Sequence, residues 1–177
     1  ASVHAGQRWS RNELTKRTVE AMYHPSVSAI SHPTGRLIDR RPPNALDLDT
    51  AFQVALETGT AVETNGLPDR LDLKDDHVRQ AVEAGIPIVV STDAHSTRGL
   101  GNIVLALGTA RRGWATAADV VNARPLEEIL ASRKPGLLHR KEKTHVRTIR
   151  RICVRKDAKR GYKRPSSRGA AHGRGRG

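Results

Sequence analysis

The sequence predicts an α/β protein with parallel strands, and three observations carry that expectation. Segments of helical and strand period alternate through the first 132 residues. Strands begin near residues 27, 60 and 86, and the separations of 33 and 26 residues match βα units with right-handed crossovers. Histidine and aspartate stand where those strands end. Three or four such units suffice for half of a β/α barrel or for a small open sheet, and length alone does not choose between them.

The elements follow in order. Asn12 to Met22 places Leu14, Val19 and Met22 on one helical face, and His24-Pro25 breaks the helix because a residue before proline is pushed out of the α region. Val27 to Ser31 reads as a short strand that ends in the loop His32-Pro33-Thr34-Gly35. Asp49 is expected to cap a helix through Leu56, closed by Gly59, with a strand from Thr60 to Thr64. Val78, Ala81 and Val82 line the next helix, which Gly85 ends. Ile86 to Val90 is then an apolar run of the kind found in parallel strands covered on both faces. Thr116 with Asp119 resembles a capping box ahead of Val120 and Val121, and Pro125 fits the first turn of a last helix through Leu130.

Composition divides the chain in two. Residues 1–132 hold 14 Lys and Arg against 16 Asp and Glu, whereas residues 133–177 hold 17 against 2. The whole net charge of +13 therefore belongs to the tail, and residues 1–132 and 133–177 read as separate domains. The tail has no sustained apolar period. It is expected to be disordered after about residue 156, with a basic helix or strand over Val146–Val154. Only 3% of residues are aromatic, so the core falls to Val, Leu, Ile and Ala. The single Cys153 excludes an internal disulfide framework and a zinc ribbon. No run of about 18 apolar residues exists to cross a membrane, and a cytoplasmic location is the default. The chain starts at Ala1 and has one methionine, Met22, so it reads as part of a longer reading frame.

The residues with chemical potential are His4, His32, Asp93 and His95, each at the end of an expected strand. In α/β folds those ends share one face, where sites are built. Imidazole and carboxylate together suit a borderline or hard divalent ion. Asp93-Ala-His95 after the apolar strand is the sharpest local signal, although each histidine alone equally suits a solvated loop position. His24 marks the helix break and His77 is expected in solvent. His139, His145 and His172 have no acidic or histidine partner at ligand spacing. Arg36 and Arg70 could each pair with phosphate oxygens or with a surface carboxylate. Glu63 suits either support of a ligating histidine or a structural role.

At these residues a resemblance emerges. Ala1-Ser-Val-His4, Ser31-His-Pro-Thr-Gly-Arg-Leu37, Glu63-Thr-Asn65 with Arg70-Leu-Asp-Leu73, Ser91-Thr-Asp-Ala-His-Ser96 and Thr109-Ala-Arg-Arg-Gly-Trp114 run in one order. Together they resemble the PHP (polymerase and histidinol phosphatase) domain of bacterial family X DNA polymerases, over about residues 1–131. Position 5 is alanine, where that family often has serine. The resemblance implies the C-terminal portion of a distorted seven-stranded β/α barrel. It also implies divalent metals, manganese or zinc and up to three in the intact domain. His4, His32, Asp93 and His95 would be ligands, Asp93, His95 and Arg36 would act in catalysis, and DNA ends would be the partner. The implied chemistry is phosphoester hydrolysis by metal-activated water, as a 3′→5′ exonuclease or in processing 3′ ends. The family's opening His-x-His motif has no counterpart here, which implies an impaired site in this chain alone. Two other readings compete. One is a stand-alone phosphatase for a small phosphomonoester, similar to histidinol phosphatase. The other is a nucleic-acid-binding fragment acting through residues 133–177.

Overall fold

The computed structural model describes residues 1–4 and 6–131. The expectations for the tail 133–177, including its three histidines, and the remark on Ala5 lie outside the described residues. Among those described, five helices and three strands alternate in the order α1 (Arg11–Tyr23), β1 (Ala29–Ile30), α2 (Leu48–Thr58), β2 (Ala61–Asn65), α3 (Asp75–Glu83), β3 (Ile88–Ser91), α4 (Ile103–Arg112) and α5 (Leu126–Ala131). Short 3₁₀ turns cover Arg98–Asn102 and Val121–Ala123. The three strands are parallel and lie side by side in chain order, with Ala29 opposite Ala61 and Val62 opposite Ile88. Single parallel bridges extend this order at both edges, Ser2 to Ser31 and Ile88 to Val120. The expected parallel α/β fold is present as a three-stranded parallel sheet.

Sequence explains most of the elements. Ser10 and Glu13 form a reciprocal capping box at the start of α1. Leu14, Val19 and Met22 are buried as expected, and His24 ends the helix while its Nδ1 accepts from the Ser26 amide at 3.2 Å. The cap of α2 is Asp47, not Asp49. The Asp47 carboxylate accepts the Thr50 amide at 3.3 Å, and Arg11 anchors it at 3.1 Å. Gly59 closes α2 at φ +65°, as anticipated from its place after the last helical turn. Strand β2 lies between two neighbours and is buried at all five residues, whereas β3 is fully buried only at alternate positions.

Two stretches depart from expectation. Thr116 does bond to Asp119, through its amide and its hydroxyl at 2.8 Å each. Val120 then pairs with Ile88 at the sheet edge, a 3₁₀ turn rather than an α-helix follows directly, and the expected last helix begins at Leu126. Helix α4 was not anticipated at all. It buries small residues (Ala106, Thr109 and Ala110) and leaves Val104, Leu105 and Leu107 exposed, the reverse of an ordinary amphipathic pattern. The small face lets α4 come close to the sheet. A Cβ on Gly66 would lie 2.3 Å from the Asn102 carbonyl and 3.0 Å from Ala106 Cβ. The core joins α1, α2, α3, α4 and the strands through Met22, Val54, Val62, Leu73, Val78 and Ile88.

Candidate functional site

The carboxyl ends of the three strands meet at Glu63. This β2 side chain is 5% exposed, and its Oε2 accepts the His32 amide at 2.5 Å just past β1. Its Oε1 accepts the Ser91 hydroxyl at the end of β3, and Asn65 Nδ2 donates to Oε2 at 3.4 Å. One carboxylate therefore ties three strand ends together. Glu63 thus holds backbone and side chains of the strand ends and does not bond the His32 ring, the structural one of the two roles its sequence left open.

His32 is 3% exposed and sits at φ +29°, a left-handed conformation that non-glycine residues rarely adopt. Its neighbour Gly35 has φ +58°, and the turn closes with the Gly35 amide donating to the His32 carbonyl at 3.0 Å. Asp72 fixes the same turn from below. Its carboxylate accepts the Thr34 hydroxyl at 2.9 Å, the Thr34 amide at 3.3 Å and the Gly35 amide at 2.8 Å. Burial raises the Asp72 pKa to about 6 against the lowering effect of those donors and of Arg36. Burial also lowers the His32 pKa, assisted by Arg70, while Glu63, the residue's own backbone and Asp93 oppose the shift. The neutral imidazole is thus favoured, and its buried Nδ1 makes no hydrogen bond of good geometry.

The other expected residues gather unequally. The His4 ring lies edge-on to His32, with centroids 5.1 Å apart, and His4 is exposed. Asp93 has φ +50°, a second left-handed non-glycine residue, and its Oδ2 lies 3.4 Å from Arg70 Nε. That Nε is buried without a hydrogen bond, so the pair is held by charge and not by directed bonding. Asp39, Leu71 and Trp114 share positive φ, so this backbone is not particular to His32 and Asp93. His95 is exposed, with Nδ1 2.7 Å from the Asp93 carbonyl oxygen. Arg36 spends two donors on backbone, Nε to the Arg70 carbonyl at 2.7 Å and Nη2 to the Leu71 carbonyl at 2.5 Å. It braces the segment that carries Arg70, and Arg70 is the arginine beside Asp93. His77 is not simply solvated as expected. It is half-buried, its Nδ1 lacks a hydrogen bond, and burial lowers its pKa.

A divalent ion draws on about four to six donors. Among the described residues, no group of three or more His, Cys, Asp or Glu side chains is arranged to hold one. The unpartnered, neutral His32 ring with His4 beside it nevertheless fits the imidazole share of such a donor set, and Asp93 fits its carboxylate share. Among the described residues, no helix is long and apolar enough to cross a membrane.

Comparison with known proteins adds a direct relation. No family model matches the chain. The chain is 38% identical over 131 residues to the DNA polymerase/3′-5′ exonuclease PolX of Bacillus subtilis (strain 168), a match covering 74% of this chain. It spans only 23% of that relative's length. The strand-end cluster of His32, Glu63, Arg70 and Asp93 thus occurs in a chain that carries a region related to a polymerase with a 3′-5′ exonuclease.

Proposed function

We propose that residues 1–131 belong to the metal-dependent phosphoesterase domain, of PHP type, in a DNA-processing protein of the family X polymerase kind. The observation that carries this reading is the convergence of His32, Asp93 and Arg70 on the Glu63-tied strand ends. On this reading the parallel sheet contributes consecutive strands to the wall of a distorted seven-stranded β/α barrel. The substrate is the 3′ end of DNA, and the similarity to an exonuclease linked to a polymerase favours it over a small phosphomonoester.

The reaction is hydrolysis of a phosphodiester. A water oxygen adds to phosphorus, the bond to the 3′ oxygen breaks, and that oxygen leaves with a proton. A nucleoside 5′-monophosphate and a shortened strand ending in a 3′ hydroxyl result. His4, His32, Asp93 and His95 would hold a share of the donors to manganese or zinc, which when bound supplies Lewis acidity at the phosphate. Glu63 holds the His32 backbone in register with β3. Asp72 and Gly35 keep the His32 turn closed. Arg70 brings a guanidinium whose fork suits the charge that builds on phosphate oxygens, and Arg36 steadies it from behind.

A segment exchange tests the proposal. Residues 1–131 replace the matching 131-residue segment of the Bacillus subtilis relative, and manganese-dependent hydrolysis of a 3′-recessed duplex is followed. The chimera is expected to degrade the recessed strand, and His32→Ala or Asp93→Ala is expected to reduce that rate by at least a hundredfold. A folded chimera whose hydrolysis survives both substitutions refutes the assignment. The isolated 177-residue chain is expected to show little or no activity.

A further inference from the structure

A second feature lies beside the strand-end cluster and shares only Arg36 with the chemistry above. The loop after the His32 turn encloses an open cavity of about 560 Å³, whose lining includes Arg36, Arg40, Arg41, Lys74 and the two prolines Pro42 and Pro43. The loop is pinned rather than loose. Leu37 and Arg41 exchange backbone hydrogen bonds at 2.9 and 2.8 Å, and the Ile38 amide donates to the Asp69 carbonyl at 2.7 Å. Arg41 is fixed through Nε and Nη2 to the Gly35 carbonyl, at 3.1 and 2.6 Å.

The manner of fixing matters. Arg36 and Arg41 are both anchored to backbone carbonyls and form no ion pair among the described residues. Carbonyls orient a guanidinium without cancelling its charge, although the nearby Asp72 carboxylate offsets part of that of Arg36, and each arginine keeps Nη1 free of these anchors. Arg40 and Lys74 do have carboxylate partners, Asp69 and, at 2.6 Å, Asp76. Those are surface pairs, worth about 0–1 kcal/mol and readily exchanged for another anion. Asp39 is the acidic residue of the lining. The result is a preorganised, predominantly cationic cavity with an apolar side at the prolines, joined to the cluster because Arg36 holds the Arg70 backbone.

We propose that this cavity is a phosphate subsite for a nucleic-acid strand, gripping a backbone diester upstream of the scissile one, with the sugar carbons against Pro42 and Pro43. Identifying the strand as DNA rests on the functional reading above, whereas the anion chemistry of the cavity does not. Binding also separates from hydrolysis, so either can fail alone.

The test uses the full chain and a fluorescein-labelled single-stranded DNA, with affinity measured by anisotropy over a range of sodium chloride. Each strand phosphate neutralised contributes about 0.7 to the slope of log affinity against log salt. Arg40→Gln with Lys74→Gln removes two exposed charges that hold no backbone, and is expected to make the slope shallower by about 1.4. Lys16→Gln with Arg111→Gln removes the same charge from other surfaces and is expected to leave the slope nearly unchanged. The basic residues 133–177 are identical in all three proteins and contribute equally to each. An unchanged slope in the cavity variant, or an equal change in both variants, overturns the proposal. A parallel titration replaces chloride with sodium phosphate at equal ionic strength. Extra loss of affinity in phosphate that disappears in the cavity variant is expected, because free phosphate and a strand phosphate would share the cavity, whereas equal loss in the two salts, or extra loss that persists in the cavity variant, would overturn the proposal.

Discussion

Asp72 shows how much of the site depends on a residue that touches none of the expected ligands. Its carboxylate collects three donors from Thr34 and Gly35, yet burial raises its pKa from 3.8 to about 6. Because the folded protein holds this proton more tightly than the unfolded chain, the contribution of Asp72 to stability is greatest below about pH 4. It diminishes as pH rises toward 6, by at most about 3 kcal/mol at 1.36 kcal/mol per pKa unit. Denaturant unfolding of wild type and Asp72→Asn from pH 3.5 to 7 checks this. Wild type is expected to lose stability relative to the variant between pH 4 and 6, and a difference that stays flat with pH would contradict it. Glu63 belongs to the same class of long-range organiser. Glu63→Gln keeps the acceptor oxygen for one tie but not the charge for two, and is expected to destabilise by about 1–3 kcal/mol in thermal or denaturant unfolding. Sequence singled out His32 and Asp93 by their places after expected strands, and the structure puts them just past β1 and β3, whereas His4 follows only an isolated bridge at Ser2. Glu63 was singled out without its partners and Asp72 not at all, since Glu63 reaches His32 across 31 residues and Asp72 reaches Thr34 across 38, and neither separation leaves a local pattern.

Among the elements, β3 was legible from an apolar run, β2 from its place after the Gly59 helix stop, and α1 to α3 from period and caps, with the register of their ends off by one to a few residues. Helix α4 escaped because its buried face is Ala106, Thr109 and Ala110 while its leucines point outward, so hydrophobic period pointed the wrong way. Close approach of backbone, not side-chain volume, determines that packing. At the end of α4, a Cβ on Gly113 would fall 2.6 Å from Val78 Cβ on α3. Gly113→Ala is therefore expected to force the two helices apart and cost about 1–3 kcal/mol in denaturant unfolding. Ile88, fully buried in β3 between Val62 and Val120, gives the opposite kind of damage. Ile88→Ala is expected to cost about 2–5 kcal/mol through the cavity it leaves, measured in the same way. A loss below 1 kcal/mol would mean that β3 is not the packed strand described.

Over the whole chain, charge is divided between nearly neutral residues 1–132 and basic residues 133–177. Residues 133–177 supply net charge +15, and their removal is expected to weaken DNA binding at low salt and to flatten its salt dependence without altering the strand-end cluster. That cluster, the cavity beside it and the parallel sheet beneath both form one arrangement, in which strand ends present donors and the following loops present cations. Manganese titration of the full chain, followed by broadening of the eight histidine ring resonances, probes this arrangement directly. His4, His32 and His95 are expected to broaden first, and Asp93→Ala is expected to shift that broadening to higher manganese concentration. Rings of His24, His77 or the tail histidines broadening first, with His4, His32 and His95 still sharp, would contradict a metal share at the strand ends.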